Sequence, residues 1–127
     1  MSVSKAATHI RQIGTVAIPV ADQERALAFY VGGLGFEKRR DVPFGDGGRW
    51  IEVAPRGGEA TIALPPQGEV PVGVDTGIRL TTADTEADHQ ALTDAGAEVG
   101  EILRYPGVPP MFSFRDQDGN TLYVVEG

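Results

Sequence analysis

The stretch Val16-Ala17-Ile18-Pro19-Val20-Ala21-Asp22-Gln23-Glu24-Arg25-Ala26-Leu27-Ala28-Phe29-Tyr30 changes period in its middle, and that change decides the fold. Val16, Ile18 and Val20 fall on one side of an extended chain, so a strand is predicted from about Ile13 to Val20. Beyond Asp22 the apolar residues Ala26, Leu27 and Tyr30 recur at helical spacing. Asp22 is a residue type whose carboxylate accepts from the free amides of a first helical turn, and Gly32 and Gly33 stop the helix. Leu34-Gly35-Phe36-Glu37 and onward gives a second strand and Arg49 to Ala54 a third. Ala60 to Leu64, after the Pro55-Arg56-Gly57-Gly58 turn, gives a fourth.

The order β-α-β-β-β then returns. Gly77-Ile78-Arg79-Leu80-Thr81-Thr82 repeats the first strand, and Asp84 stands as a cap before a helix with Ala87, Ala91, Leu92 and Ala95 as its stripe. Gly96 closes that helix, and Val99 to Leu103, Met111 to Arg115 and Asn120 to Val125 are the following strands, with Asp118-Gly119 at a hairpin turn. Ala21-Asp22-Gln23-Glu24 aligns with Ala83-Asp84-Thr85-Glu86 at a spacing of 62, and Thr61-Ile62-Ala63-Leu64 with Thr121-Leu122-Tyr123-Val124 at 60. The expectation is a single α+β domain over residues 1–127, made of two βαβββ modules at about 13–64 and 76–126 joined by a Pro- and Gly-rich linker at 65–75. Helix-free sheet faces curving around a common cleft are where a ligand is buried.

Composition narrows the function classes. A chain of 127 residues with 41% hydrophobic content has enough apolar surface for one core. Its net charge of −7 repels a phosphate backbone, and Lys38, Arg39 and Arg40 are its one short basic cluster, so nucleic acid is not expected as a partner. No cysteine is present, which removes disulfides, thiolate metal sites and Cys nucleophiles. Met1-Ser2-Val3-Ser4-Lys5 lacks the apolar stretch of a signal peptide, and no apolar run approaches the roughly 20 residues that cross a bilayer. A soluble, cytoplasmic protein with no membrane partner is expected.

The segment from Val16 to Tyr30 followed by Leu34-Gly35-Phe36 resembles the opening of many vicinal oxygen chelate proteins, the glyoxalase/bleomycin-resistance/dioxygenase superfamily. Arg49-Trp50-Ile51-Glu52-Val53-Ala54-Pro55 and Phe114-Arg115-Asp116-Gln117-Asp118-Gly119-Asn120 resemble two more of its signatures, and the likeness runs from about Ile13 to Glu126. That superfamily includes glyoxalases, ring-cleaving dioxygenases, fosfomycin-inactivating thiol transferases, epimerases and proteins that sequester bleomycin-like antibiotics without metal, so membership alone does not choose a chemistry. Its metal-dependent members are similar in placing His, Gln or Glu ligands on the first and last strands of each unit. The corresponding positions here are Thr15, Ala63, Gly77 and Tyr123, none a usual divalent-metal ligand, so no metal and no other cofactor is expected. His89 lies off the alanine stripe of its helix and is assigned to the surface, and His9 belongs to the N-terminal arm.

Strand alternation places Thr15, Trp50, Glu52, Thr61, Ala63, Arg79, Thr81 and Tyr123 on the cleft faces, with Met111 at the rim. Trp50 and Tyr123 offer flat apolar area, Glu52 and Arg79 offer charge, and Ala63 with Gly77 leave space. The alternative for these residues is structural: Trp50 filling a core, Glu52 pairing with Arg79, and Tyr123 plugging the hole left by absent ligands. The ligand-binding set is therefore Thr15, Trp50, Glu52, Ala63, Gly77, Arg79, Met111 and Tyr123, with no catalytic residue assigned. It points to a metal-independent protein that binds a small organic molecule in the manner of antibiotic sequestration; the acidic surface is compatible with a cationic ligand, although acidity most often serves solubility alone. The alternative is a lyase, isomerase or dioxygenase of the same superfamily acting on a small metabolite, metal-dependent or not. The resemblance also implies a homodimer whose subunits form or share the clefts.

Overall fold

The computed structural model describes residues 4–66, 68 and 71–127. Met1 to Val3, and Gln67, Glu69 and Val70 of the expected linker, lie outside the described residues. An exposed arm, residues 4–14, leads into β1 (Thr15–Ala17). This strand is shorter than its apolar alternation predicts because Pro19 has no amide to donate to the ladder. The amides of Ile18 and Val20 still reach the carbonyls of Ala63 and Pro65, at 2.9 and 3.2 Å.

The Asp22 carboxylate accepts from the amides of Glu24 and Arg25 and starts α1 (Gln23–Leu27). The helix then widens into a π turn over Ala28–Gly33, where the Leu34 amide donates to the carbonyl of Phe29. Next come β2 (Glu37–Phe44), β3 (Gly48–Ala54) and β4 (Thr61–Ala63), giving a sheet of order β1-β4-β3-β2 in which β1 and β4 are parallel. The second half contributes β5 (Asp75–Thr82), α2 (Thr85–Asp94), β6 (Met111–Arg115) and β7 (Thr121–Glu126), in a sheet of order β5-β7-β6.

Two expectations are corrected. Val99 to Leu103 does not form a regular strand: it makes isolated bridges from Val99 to Phe114 and from Leu103 to Met111. The step from Val99 to Leu103 is one residue longer than the step opposite it, from Met111 to Phe114, so the pairing is interrupted between the two bridges. The edge strand of the other sheet slips as well, between Lys38 and Arg40. Arg39, the extra residue there, turns its guanidinium to the carbonyls of Gly58 and Pro55 at 2.8 and 3.1 Å and pins the β3–β4 turn. Both sheets thus end in an irregular edge, a usual defence against strand addition.

The second correction concerns α2. Ala87, Ala91 and Ala95 are exposed, whereas Thr85 and Leu92 are buried and His89 is half-buried between them. His89 Nε2 donates to the Gly100 carbonyl at 2.8 Å and its ring meets Phe112 edge-on, so it anchors the irregular segment rather than facing solvent. Alanine is small enough to sit on either face of a helix and misleads a periodicity argument.

One face of each sheet turns inward. Ile18, Ile51, Val53, Ile62 and Leu64 from the first sheet meet Phe112, Phe114, Leu122 and Val124 from the second, with Ala26, Tyr30 and Leu92 from the helices, in one shared core. Asn120 ties the halves at the surface of that core. Its side-chain amide donates to the Pro19 carbonyl and to Asp116, and its oxygen accepts from the amides of Gly73 and Val74. Among the described residues no helix is long and apolar enough to cross a membrane.

Candidate functional site

The other face of each sheet carries Trp50 and Glu52 in the first half and Arg79 and Tyr123 in the second. Cross-strand pairing of Thr15 with Thr61, Ala17 with Ala63 and Glu52 with Ala63 fixes the face of the first sheet. Pairing of Arg79 with Tyr123, Tyr123 with Ser113 and Val125 with Met111 fixes that of the second.

Glu52 is the centre of the first face. Its two carboxylate oxygens accept from Trp50 Nε1 at 2.7 Å and from Thr61 Oγ1 at 2.8 Å, and Thr61 Oγ1 lies 2.8 Å from Thr15 Oγ1. The bond from Trp50, and then that from Thr61, hold the carboxyl below the usual glutamate range against partial burial, with the charge of Arg40 assisting. Phe44, 61% exposed, meets the Trp50 ring edge-on with centroids 5.7 Å apart.

On the second face the Tyr123 hydroxyl donates to Asp75 Oδ2 at 2.7 Å, and Asp75 Oδ1 accepts from the Gly77 amide at 3.0 Å. These bonds lower the Asp75 carboxyl, and the bond to Asp75 followed by desolvation raises the Tyr123 phenol. The Arg79 guanidinium stacks over the Tyr123 ring, 4.4 Å from its centroid, and donates to the Gly77 carbonyl at 2.8 Å. Gly77 has φ +69° and sits where β5 slips against β7, between Asp75 and Arg79, a conformation that a side chain would strain.

A groove of about 540 Å³ joins the two sheets, lined by Val16, Thr61 and Ile62 on one side and by Gly77, Ile78, Arg79, Leu80 and Thr81 on the other. Trp50 and Phe44, with Arg40, Val42 and Pro43, line a second, shallower hollow of about 530 Å³. A cavity of about 210 Å³ on the helix side lies among Leu34, Phe36, Leu80, Leu92 and Phe114, away from these polar groups.

The eight residues expected at the site therefore fall into groups. Thr15, Trp50 and Glu52 are linked through Thr61, and Gly77, Arg79 and Tyr123 are linked with Asp75. Ala63 is 0% exposed, so it offers no wall surface, and Met111 lies on the same face as Tyr123 but out on β6, away from the groove. Glu52 and Arg79 have separate partners, so the structural alternative in which they pair does not occur. Asp75 was hidden from sequence reasoning by its place at the end of the expected linker, although its two-residue spacing from Gly77 puts it on the same strand face. Among the described residues no group of three or more His, Cys, Asp and Glu side chains is placed to hold a metal ion.

Comparison with known proteins agrees with this architecture. The chain is 31% identical over 120 residues to the uncharacterized protein YetH of Bacillus subtilis (strain 168), covering 92% of this chain and 99% of YetH. Its fold is similar to that of TnmS3, an antibiotic binding protein from Streptomyces sp. CB03234, with a TM-score of 0.84 and 32% identity over 94% of this chain and 98% of that one. It is similar also to a member of the glyoxalase/bleomycin resistance protein/dioxygenase superfamily from Sphaerobacter thermophilus DSM 20745, with a TM-score of 0.88 and 33% identity over 94% of this chain and all (100%) of the other. The family model of the Glyoxalase/Bleomycin resistance protein/Dioxygenase superfamily matches residues 12–124, and the chain belongs to that superfamily.

Proposed function

We propose that the protein binds a small organic molecule on the helix-free faces of its sheets, without a metal ion, and that binding itself is its activity. The observation that carries this function is the chemistry at the four strand positions where metal-dependent relatives are expected to hold their ligands. Thr15, Ala63, Gly77 and Tyr123 stand there, and a catalytic first-row metal needs about three donors from His, carboxylate or Cys. The residues present do not fit such an ion: two have no side-chain donor, and the hydroxyls of Thr15 and Tyr123 are engaged with Thr61 and Asp75. What the faces offer instead is flat apolar area from Trp50 and Phe44, a carboxylate in Glu52, and a cation stacked on an aromatic ring in Arg79.

The similarity to TnmS3, an antibiotic binding protein, supports binding as the activity. A net charge of −7 and the ionised Glu52 favour a ligand that carries positive charge. Other apolar side chains left at the surface, Leu103, Tyr105 and Val108, are those a second copy would cover in a homodimer.

Metal analysis combined with ligand titration tests the proposal. The protein is purified without an affinity tag, exchanged with zinc, nickel, manganese and iron, and analysed by mass spectrometry, then titrated with bleomycin. Trp50 is the single tryptophan, so its fluorescence reports directly on the face. The expected result is substoichiometric metal with a saturable change in Trp50 emission and a raised melting temperature. Stoichiometric metal bound at the sheet faces refutes metal-independent binding.

A further inference from the structure

The hydrogen bonds around Glu52 fix the direction of every proton in the chain they form. Trp50 Nε1 donates only, so Glu52 Oε2 accepts from it at 2.7 Å. Thr61 Oγ1 donates its one proton to Glu52 Oε1 at 2.8 Å. The 2.8 Å contact between Thr61 Oγ1 and Thr15 Oγ1 then has one possible donor, since the Thr61 proton is already committed: Thr15 donates and Thr61 accepts. Thr15, at the exposed end of the chain, has its own proton turned inward. Its outward side carries lone pairs alone.

We infer that Thr15 is a specificity-determining acceptor, which the Glu52 carboxylate orients through Thr61, and that it selects ligands presenting an N–H or O–H donor and rejects those presenting a carbonyl at the same place. This rests on the proposed binding of an organic molecule at this face and adds the polarity of the group recognised. Thr61, to which Thr15 donates, lines the groove between the sheets, so a ligand lying in the groove reaches the exposed Thr15 hydroxyl across one hydrogen bond. A carbonyl set against Thr15 puts lone pairs against lone pairs. Turning the Thr15 proton outward to meet it leaves Thr61 without its donor. Such mismatches cost roughly tenfold or more in affinity.

Carbazole and 9-fluorenone are flat tricycles of nearly the same outline that present an N–H and a C=O respectively, and equilibrium dialysis at neutral pH compares them. The unaltered protein is expected to prefer carbazole roughly tenfold. Thr61→Val removes the acceptor that holds the Thr15 proton, so fluorenone binding rises and the preference falls toward unity. Thr15→Ser keeps the hydroxyl and the preference, while Thr15→Val loses it, and a melting curve for each variant separates loss of binding from loss of fold. Equal binding of the two tricycles by the unaltered protein, weakened for both by Trp50→Ala, overturns the acceptor role and leaves the binding function standing. A preference that survives Thr61→Val also overturns it. Binding of neither tricycle overturns this inference, and failure of bleomycin to bind as well removes the organic-binding function on which it rests.

Discussion

Tyr30→Phe tests how much one buried hydrogen bond between the two halves contributes to stability. Tyr30 on the π turn is fully buried, and its hydroxyl donates to Asp116 Oδ2 at 2.8 Å across 86 residues of sequence. Burial, followed by the charge of Asp116, raises the phenol far above its ordinary value, so it remains a donor wherever the protein is folded. Asp116 also accepts from Asn120 Nδ2 and from the amides of Asp118 and Asn120 at 2.9–3.0 Å, so the substitution removes one donor of four and does not orphan the carboxylate. The aromatic ring stays, with its contacts to Phe29 and Phe36 at 5.3 and 6.1 Å between centroids. A bond to a charged acceptor is worth about 1.5–3 kcal/mol, and the remaining donors place this one at the lower end, about 1.5–2 kcal/mol. For a chain of this length that corresponds to a melting temperature lowered by roughly 5–9 °C. Urea unfolding should show a lower midpoint and an unchanged slope, because the surface exposed on unfolding is the same. Asp116→Asn is the contrast: an amide NH2 set among donors should cost more, about 3 kcal/mol. A loss below about 0.5 kcal/mol for Tyr30→Phe refutes the tie between the halves as a source of stability.

Acid titration of Trp50 fluorescence should report Glu52. Its folded carboxyl is held below the ordinary glutamate value, so the stability from its bonds to Trp50 and Thr61 is complete above the unfolded value and lost as pH falls through the folded one. Emission should therefore stay flat on acidification until pH is below the ordinary glutamate range, and a transition at or above that range contradicts the geometry. His89→Ala removes a donor to the Gly100 carbonyl and an edge contact with Phe112, and should lower stability by about 1–2 kcal/mol; hydrogen exchange should accelerate first at Gly100 and Leu103, whose amides donate to β6. A surface histidine would change neither measurement.

The order of elements was legible because it is written in strong local signals. Asp22 and Asp84 cap helices where their neighbours in sequence require caps, and the spacing of 62 that relates them also relates Ala17 to Arg79, which hold the same place in their sheets opposite Ala63 and Tyr123. What failed depended on partners distant in sequence. Val99 to Leu103 has the composition of a strand, yet the extra residue in its ladder appears only when it is laid against β6. His89 was misplaced because the bulk that buries it, Phe112, lies on another element. At the site, alternation put Thr15, Trp50, Glu52, Arg79 and Tyr123 on the correct faces, but it carries no information about which groups bond. The two linked sets, one around Glu52 and one around Asp75, are products of packing.

The two halves keep one framework and divide its work. With Ala17 matched to Arg79 and Ala63 to Tyr123, the pairing of Glu52 beside Ala63 and Ser113 beside Tyr123 matches Glu52 to Ser113, and two residues earlier Trp50 to Met111. In the first half the parallel pair β1 and β4 therefore carries two alanines, and bulk with charge sits on β3. In the second half the parallel pair β5 and β7 carries the Arg79–Tyr123 stack, and β6 has Ser113 and Met111. A metal held symmetrically between such halves would need matched ligands on matched strands. Installing them means placing a larger side chain at Ala63, which is fully enclosed, and any side chain at all at Gly77, whose φ is +69°. Each change also disturbs a carboxylate already satisfied by hydrogen bonds, Glu52 in one half and Asp75 in the other. Asymmetry of this kind suits an organic ligand with two unlike ends, one meeting Trp50 and an oriented hydroxyl, the other meeting a cation on an aromatic ring.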